Sequence, residues 1–106
     1  MNCFYIVSFL TLSRKKTYVP TTRLLIKGKV QGVFYRISAK EAAKRIGITG
    51  WIKNTTDGNV ESLVTGTAGQ IQEFIYWCRQ GPARAKVTDV ISNEEQEELF
   101  SYFLVI

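Results

Sequence analysis

The chain has 106 residues, of which 45% are hydrophobic and 22% are charged, as in one globular domain with its own core, and this composition excludes intrinsic disorder. It contains no histidine, and its two cysteines, Cys3 and Cys78, are too far apart for a disulfide framework or a metal motif. Fourteen Lys and Arg, which all precede Val87, and nine Asp and Glu give a net charge of +5. This surplus suits nucleic-acid binding, small anionic substrates or solubility alone.

The first twenty residues are predicted to be an apolar and basic extension of unknown role, followed by a domain over residues 21–106. The apolar run of residues 1–12 has its cations after it, whereas a signal peptide has them before. The run is also too short to cross a bilayer. We therefore expect a cytoplasmic protein that does not bind a membrane.

The first half of the domain contains a predicted strand, a helix and two further strands. Alternation predicts a strand over residues 22–27, and an apolar face predicts a helix over residues 34–46, with Gly47 as its stop. Short strands are predicted over residues 49–54 and 59–65, because the Asp57-Gly58 pair between them favours a hairpin turn.

The second half contains a helix and two strands. The helix is predicted over residues 70–80, with Cys78 on its buried stripe, and it ends at Gly81 and Pro82. Strands over residues 85–91 and 100–105 flank the acidic residues 93–98, which are predicted to form a solvated turn. The order predicts an α+β, ferredoxin-like (βαββαβ) two-layer sandwich, in which two helices cover one face of an antiparallel sheet.

The segment from Gly28 to Arg36, with the sequence GKVQGVFYR, joins the first strand to the first helix. Its glycines permit backbone angles that turn successive amides inward, and amides at a helix N-terminus bind anions. Arg36 opposes the helix macrodipole, at a cost of about 0.3–1 kcal/mol. If the two glycines were the only feature, a solvated basic turn would be the simpler interpretation. An arginine in the first turn of the helix favours an anion site instead.

This segment resembles the first signature of the acylphosphatase family, G-x-V-Q-G-V-x-x-R. A second signature, G-[aromatic]-x-x-N-x-x-x-G-x-V with a further glycine, is also present. The resemblance covers residues 21–106, and Tyr35 and Ile52 depart from the family at packing positions. The matching residues are Gly28, Val30, Gln31, Gly32, Val33 and Arg36, then Gly50, Trp51, Asn54, Gly58, Val60 and Gly66.

The resemblance implies an enzyme that hydrolyses acyl phosphates to a carboxylate and inorganic phosphate. It implies that Arg36 binds the phosphoryl group and that Asn54 positions the attacking water, roles that also suit their side chains. We expect a monomer without metal or cofactor, inhibited competitively by phosphate. Gly28 is predicted to form the loop, and the phosphate-binding amides are those of Gln31, Gly32, Val33, Phe34, Tyr35 and Arg36.

Two other kinds of protein share features with this sequence. RNA-recognition domains share the strand and helix order, but the first predicted strand has no aromatic residue to stack a base, so no nucleic-acid partner is expected. Acylphosphatase-like domains also begin larger carbamoyl-transferring maturation enzymes. Because the sequence ends at Ile106, we expect a separate acylphosphatase.

Overall fold

The computed structural model describes residues 19–106, so most of the predicted extension lies outside the described residues. Five strands and two helices follow one another in the predicted order, and they form a two-layer α+β sandwich of the ferredoxin-like type. Their bounds are β1 Thr21–Lys29, α1 Tyr35–Ile46, β2 Thr49–Asn54, β3 Val60–Thr65, α2 Ala68–Gln80, β4 Lys86–Glu95 and β5 Phe103–Val105.

The five strands form one sheet in the order β4-β1-β3-β2-β5. Every pair is antiparallel except β2 with β5, which are parallel, so the predicted antiparallel sheet contains one parallel pair at this edge. The reason lies in the segment before β5. The backbone of Glu98 is hydrogen bonded to Thr21 and Thr65 at one end of the sheet, and the chain then enters β5 beside Gly50, near the start of β2.

Both helices cover the same face of the sheet, and the core lies between the two layers. Leu24 and Ile26 of β1 are fully buried, as is Ala39 of α1. Phe74 of α2 contacts Phe103 of β5 edge to face, with ring centroids 5.8 Å apart. α2 packs mainly on β4 and on α1, and this aromatic contact links it to the last strand.

The two strands that form the β4 edge of the sheet are longer than predicted. β4 continues to Glu95 through the acidic segment, because its residues pair with β1 as far as Thr21 and the Glu95 carboxylate accepts a hydrogen bond from Arg23 (3.2 Å). Acidic side chains are compatible with an edge strand, since they remain in water. The prediction of a turn from residue 93 is therefore wrong.

The start of α2 also differs from the prediction by two residues. The Thr67 hydroxyl accepts a hydrogen bond from the Gln70 N–H, and the Gln70 side chain accepts one from the Thr67 N–H. This capping box fixes the helix start at Ala68. Within residues 19–106, no helix is both long and apolar enough to cross a membrane.

Candidate active site

The loop between β1 and α1 has an alternating backbone. Gly32 (φ 75°) and Phe34 (φ 64°) are left-handed, whereas Val33 between them and Tyr35 after them do not have a positive φ. Alternation of this kind points successive N–H groups toward one side and forms a concave anion-binding nest. A Cβ at Gly32 would meet no atom within 4 Å, so only its backbone angle requires glycine there.

The N–H groups of this loop have no partner within the described part of the chain. Outside the regular elements, no hydrogen bond among residues 19–106 uses a backbone N–H from Gln31 to Arg36 as its donor. The N-cap of α1 is Phe34, which offers no side-chain acceptor. These unpaired donors and the positive end of the α1 dipole together suit an oxyanion.

Arg36 lies in the first turn of α1, and its side chain is partly exposed. Its Nη1 donates a hydrogen bond to the backbone oxygen of Ile106 (3.2 Å). The ion pairs of the described residues involve Arg23 and Lys53 but not Arg36. No described Asp or Glu side chain is therefore paired with its guanidinium, whose remaining N–H groups can bind an anion.

Asn54 is the last residue of β2 and reaches the same cavity as Arg36. Ile52, two residues earlier, is buried on the face of the sheet that the helices cover, and Asn54 shares that face because strand side chains alternate. The cavity has a volume of about 230 Å³. It is lined by Val30, Gly32, Phe34, Tyr35, Arg36, Ile37 and Asn54.

The Gln31 side chain connects the loop to the hairpin that follows Asn54. Its Nε2 donates to the backbone carbonyls of Thr55 (2.8 Å) and Asn59 (2.7 Å). Within the turn, the Thr55 hydroxyl bonds the Asp57 carboxylate, and this hydrogen bond lowers the pKa of Asp57. Sequence reasoning gave Gln31 only a backbone role, although its fixed place in the first signature was a signal for its side chain.

Gly28 lies inside β1 rather than in the loop. β1 and β4 shift register between Lys27 and Gly28, and a Cβ on Gly28 would come within 2.1 Å of the Lys86 carbonyl oxygen. Glycine is therefore required for the close approach of β4. The strand ends at Lys29, so the loop begins later than the sequence predicts.

Two further features bear on the site. Among residues 19–106, no three His, Cys, Asp or Glu side chains are grouped as metal ligands. A larger cavity of about 450 Å³ lies near the other end of α1, beside Lys40 and Lys44, and contains none of the predicted site residues. The chemistry of the small cavity is thus that of an arginine, an amide side chain and backbone N–H groups.

The fold is a ferredoxin-like sandwich, and its small polar cavity at the start of α1 suits a phosphate-sized anion. The family model for acylphosphatases matches residues 22–105. The chain therefore belongs to the acylphosphatase family, hydrolases that act on acyl phosphates.

Comparisons with individual proteins agree with this assignment. The chain is 45% identical over 73 residues to an acylphosphatase of Rubrobacter xylanophilus, a match that covers 69% of this chain and 66% of that protein. It is 43% identical over 81 residues to an acylphosphatase of Bordetella parapertussis, covering 76% and 86%. The solved structure of an acylphosphatase from Coxiella burnetii superposes with a TM-score of 0.81 at 34% identity, covering 86% of this chain and 96% of that one.

Proposed function

We propose that this chain hydrolyses the carboxyl–phosphate bond of acyl phosphates at the cavity between the β1–α1 loop and the end of β2. The observation that carries the proposal is that Arg36 and Asn54, which come from different elements, line one cavity together with the left-handed loop. One chain supplies both side chains, so the proposed active unit is a monomer.

The phosphoryl group is bound by backbone and side chain together. The N–H groups from Gln31 to Arg36 donate to its oxygens, and the planar guanidinium of Arg36 binds two of them at once. The hydrogen bond from Nη1 to the Ile106 backbone oxygen positions the guanidinium next to the end of β5. Inorganic phosphate presents the same oxygens, so it is expected to be a competitive inhibitor.

Asn54 positions the attacking water. Its side-chain amide can both donate and accept hydrogen bonds. Among residues 19–106, no other side chain is hydrogen bonded to this amide. Water held at the end of β2 attacks phosphorus on the side opposite the leaving carboxylate. The proton of the water passes to a phosphoryl oxygen of the substrate, since the cavity contains no carboxylate or imidazole that could accept it.

The leaving group explains why the reaction needs no general acid in this site. The conjugate acid of a carboxylate has a pKa of about 4, so the group departs at neutral pH without being protonated. In phosphoryl transfer through a loose transition state, the protein mainly supplies positioning and electrostatic stabilisation. Arg36 and the loop amides provide the charge stabilisation, and the proposed reaction uses neither metal nor cofactor.

The decisive experiment measures phosphate release from acetyl phosphate and benzoyl phosphate by the purified chain. Turnover that is saturable and inhibited competitively by inorganic phosphate supports the proposal. Arg36→Gln serves as the inactive reference and Arg84→Gln as the matched control, because Arg84 is exposed and does not line the cavity. Phosphate release that is not faster with the wild-type chain than with Arg36→Gln would refute the proposed function.

A further inference from the structure

We propose that Phe34 and Ile37 form an apolar rim that binds the acyl group, so that the preferred substrates are acyl phosphates with aromatic or large apolar acyl groups. The inference rests on the proposed function, because it assigns the acyl side of the same site. It concerns the part of the substrate that the phosphate-binding groups do not contact.

The two side chains are exposed at the place where an acyl group must lie. Phe34 is 69% exposed and Ile37 is 61% exposed, and both line the cavity that contains Arg36 and Asn54. Phe34 is the N-cap of α1 and Ile37 lies in its first turn, so the two side chains border the cavity from the same end of the helix. A large apolar surface beside a polar cavity indicates a ligand with one anionic and one apolar end.

The backbone of Phe34 supplies a second, independent observation. Among residues 19–106, it is the only residue other than glycine with a positive φ. A bulky side chain is disfavoured in this left-handed conformation, and glycine would form the same loop without strain. Since the ring is largely exposed, burial in the core does not compensate for the strain. Strain of this kind at a cavity is typical of a functional side chain.

The direction of the reaction fits the same arrangement. In-line attack places the water and the leaving carboxylate on opposite sides of phosphorus. Asn54 approaches from the end of β2, whereas Phe34 and Ile37 belong to the start of α1. An acyl group that leaves on the α1 side therefore meets an aromatic ring and a branched aliphatic side chain, which an acetyl group is too small to cover.

The test compares a small and an aromatic acyl group in four proteins: the wild type, Phe34→Gly, Ile37→Ser and the control Leu99→Ala. Leu99 is 72% exposed but does not line the cavity. Glycine keeps the left-handed backbone of the loop, so Phe34→Gly removes the ring alone. The readout is the ratio of kcat/KM for benzoyl phosphate to that for acetyl phosphate. The affinity ratio of benzoylphosphonate to acetylphosphonate, which are not hydrolysed, is measured by calorimetry.

We expect both ratios to favour the aromatic compound in the wild type and to fall by about three- to tenfold in Phe34→Gly and in Ile37→Ser, as for the loss of an aromatic contact. They should not change in Leu99→Ala. Ratios that are equal in all four proteins would overturn the inference. If the wild type hydrolyses neither substrate, the proposed function fails, whereas the phosphonate ratios still decide whether the rim binds apolar acyl groups.

Discussion

The side-chain amide of Gln31 lies 2.8 Å from the carbonyl oxygen of Thr55 and donates to it, and the same nitrogen donates to the carbonyl of Asn59 at 2.7 Å. The loop that carries the candidate phosphate-binding amides is thereby attached to the turn after Asn54. The two halves of the site are therefore held in register by one side chain. Gln31 is a positioning residue in this arrangement, since its side chain does not line the cavity.

Replacing Gln31 with Glu should lower kcat by about tenfold and reduce the free energy of unfolding by about 1–3 kcal/mol, because a carboxylate cannot donate and two partly buried carbonyls lose their donor. Gln72→Glu is the matched control, since Gln72 is exposed on α2 and undergoes the same chemical change. The measurements are steady-state kinetics and urea unfolding. Wild-type kcat in Gln31→Glu would show that the loop and the hairpin are aligned by other contacts.

Arg36→Gln should lower kcat/KM by at least a hundredfold and weaken inhibition by phosphate, because a charge-assisted clamp on the transferred group is lost. Arg36→Lys should recover little of this loss, since an ammonium group lacks the planar fork. Circular dichroism should show an unchanged fold in both variants. An Arg36→Gln enzyme within tenfold of the wild type would exclude Arg36 from the mechanism.

Asn54→Ala should separate water positioning from phosphate binding. We expect a steep fall in kcat, whereas the inhibition constant for inorganic phosphate changes by less than about threefold, because the loop amides and Arg36 are intact. Asn93→Ala on the exposed edge of β4 is the control. A parallel loss of kcat and phosphate affinity would identify Asn54 as a binding or structural residue instead.

Alkaline stability should depend on Cys78, which is fully buried, as its place on the apolar stripe of α2 predicts. Burial raises the pKa of its thiol to about 12, whereas an exposed cysteine has a pKa of about 8.5. The unfolded chain therefore releases this proton first. The stabilisation is complete below about pH 8.5 and declines by up to about 1.4 kcal/mol per pH unit as the pH rises toward 12.

Cys78→Ala removes this titration, so its free energy of unfolding should fall less steeply than that of the wild type between pH 8.5 and pH 10. Urea unfolding at several pH values within this interval measures the difference. Burial also raises the pKa of Tyr35, whose hydroxyl donates to the Cys78 carbonyl (2.6 Å), but this group is present in both proteins. Parallel curves for the wild type and Cys78→Ala would contradict the prediction.

The rate of acyl phosphate hydrolysis should be independent of pH between about pH 5 and pH 7.5 and should survive EDTA. The chain has no histidine, and ordinary carboxylates titrate below this interval. Two substrates should be compared, because a limb that arises from the substrate's phosphoryl group moves with the substrate. A bell-shaped profile common to both substrates, or inactivation by EDTA that added metal reverses, would contradict the base-free mechanism.

Much of the fold could be predicted because its determinants are local. Alternation along β1, the apolar faces of α1 and α2, and the turn residues Asp57 and Gly58 each depend on neighbours in the chain. The bounds of β2 were predicted to the residue. The signatures also singled out Arg36 and Asn54, which the structure brings to one cavity, although their roles in the reaction stay predictions.

Contacts between distant segments could be decided only by the tertiary structure. The parallel pairing of β5 with β2 depends on where the segment around Glu98 is anchored, and the extension of β4 depends on pairing with β1. Neither leaves a periodic pattern in the sequence. The bridge from Gln31 to Thr55 likewise spans 24 positions, so local propensity carries no information about it.

The sequence by itself therefore determined the order of the elements and the family to which the chain belongs, and it predicts an anion-binding loop, since residue type and spacing suffice for these. The tertiary structure decided that Phe34 is held left-handed with its ring exposed at the cavity, and that Gln31 joins the loop to the hairpin. The physical reason is that backbone angles and hydrogen-bond partners at such positions are imposed by packing of segments distant in the chain, which overrides local preference.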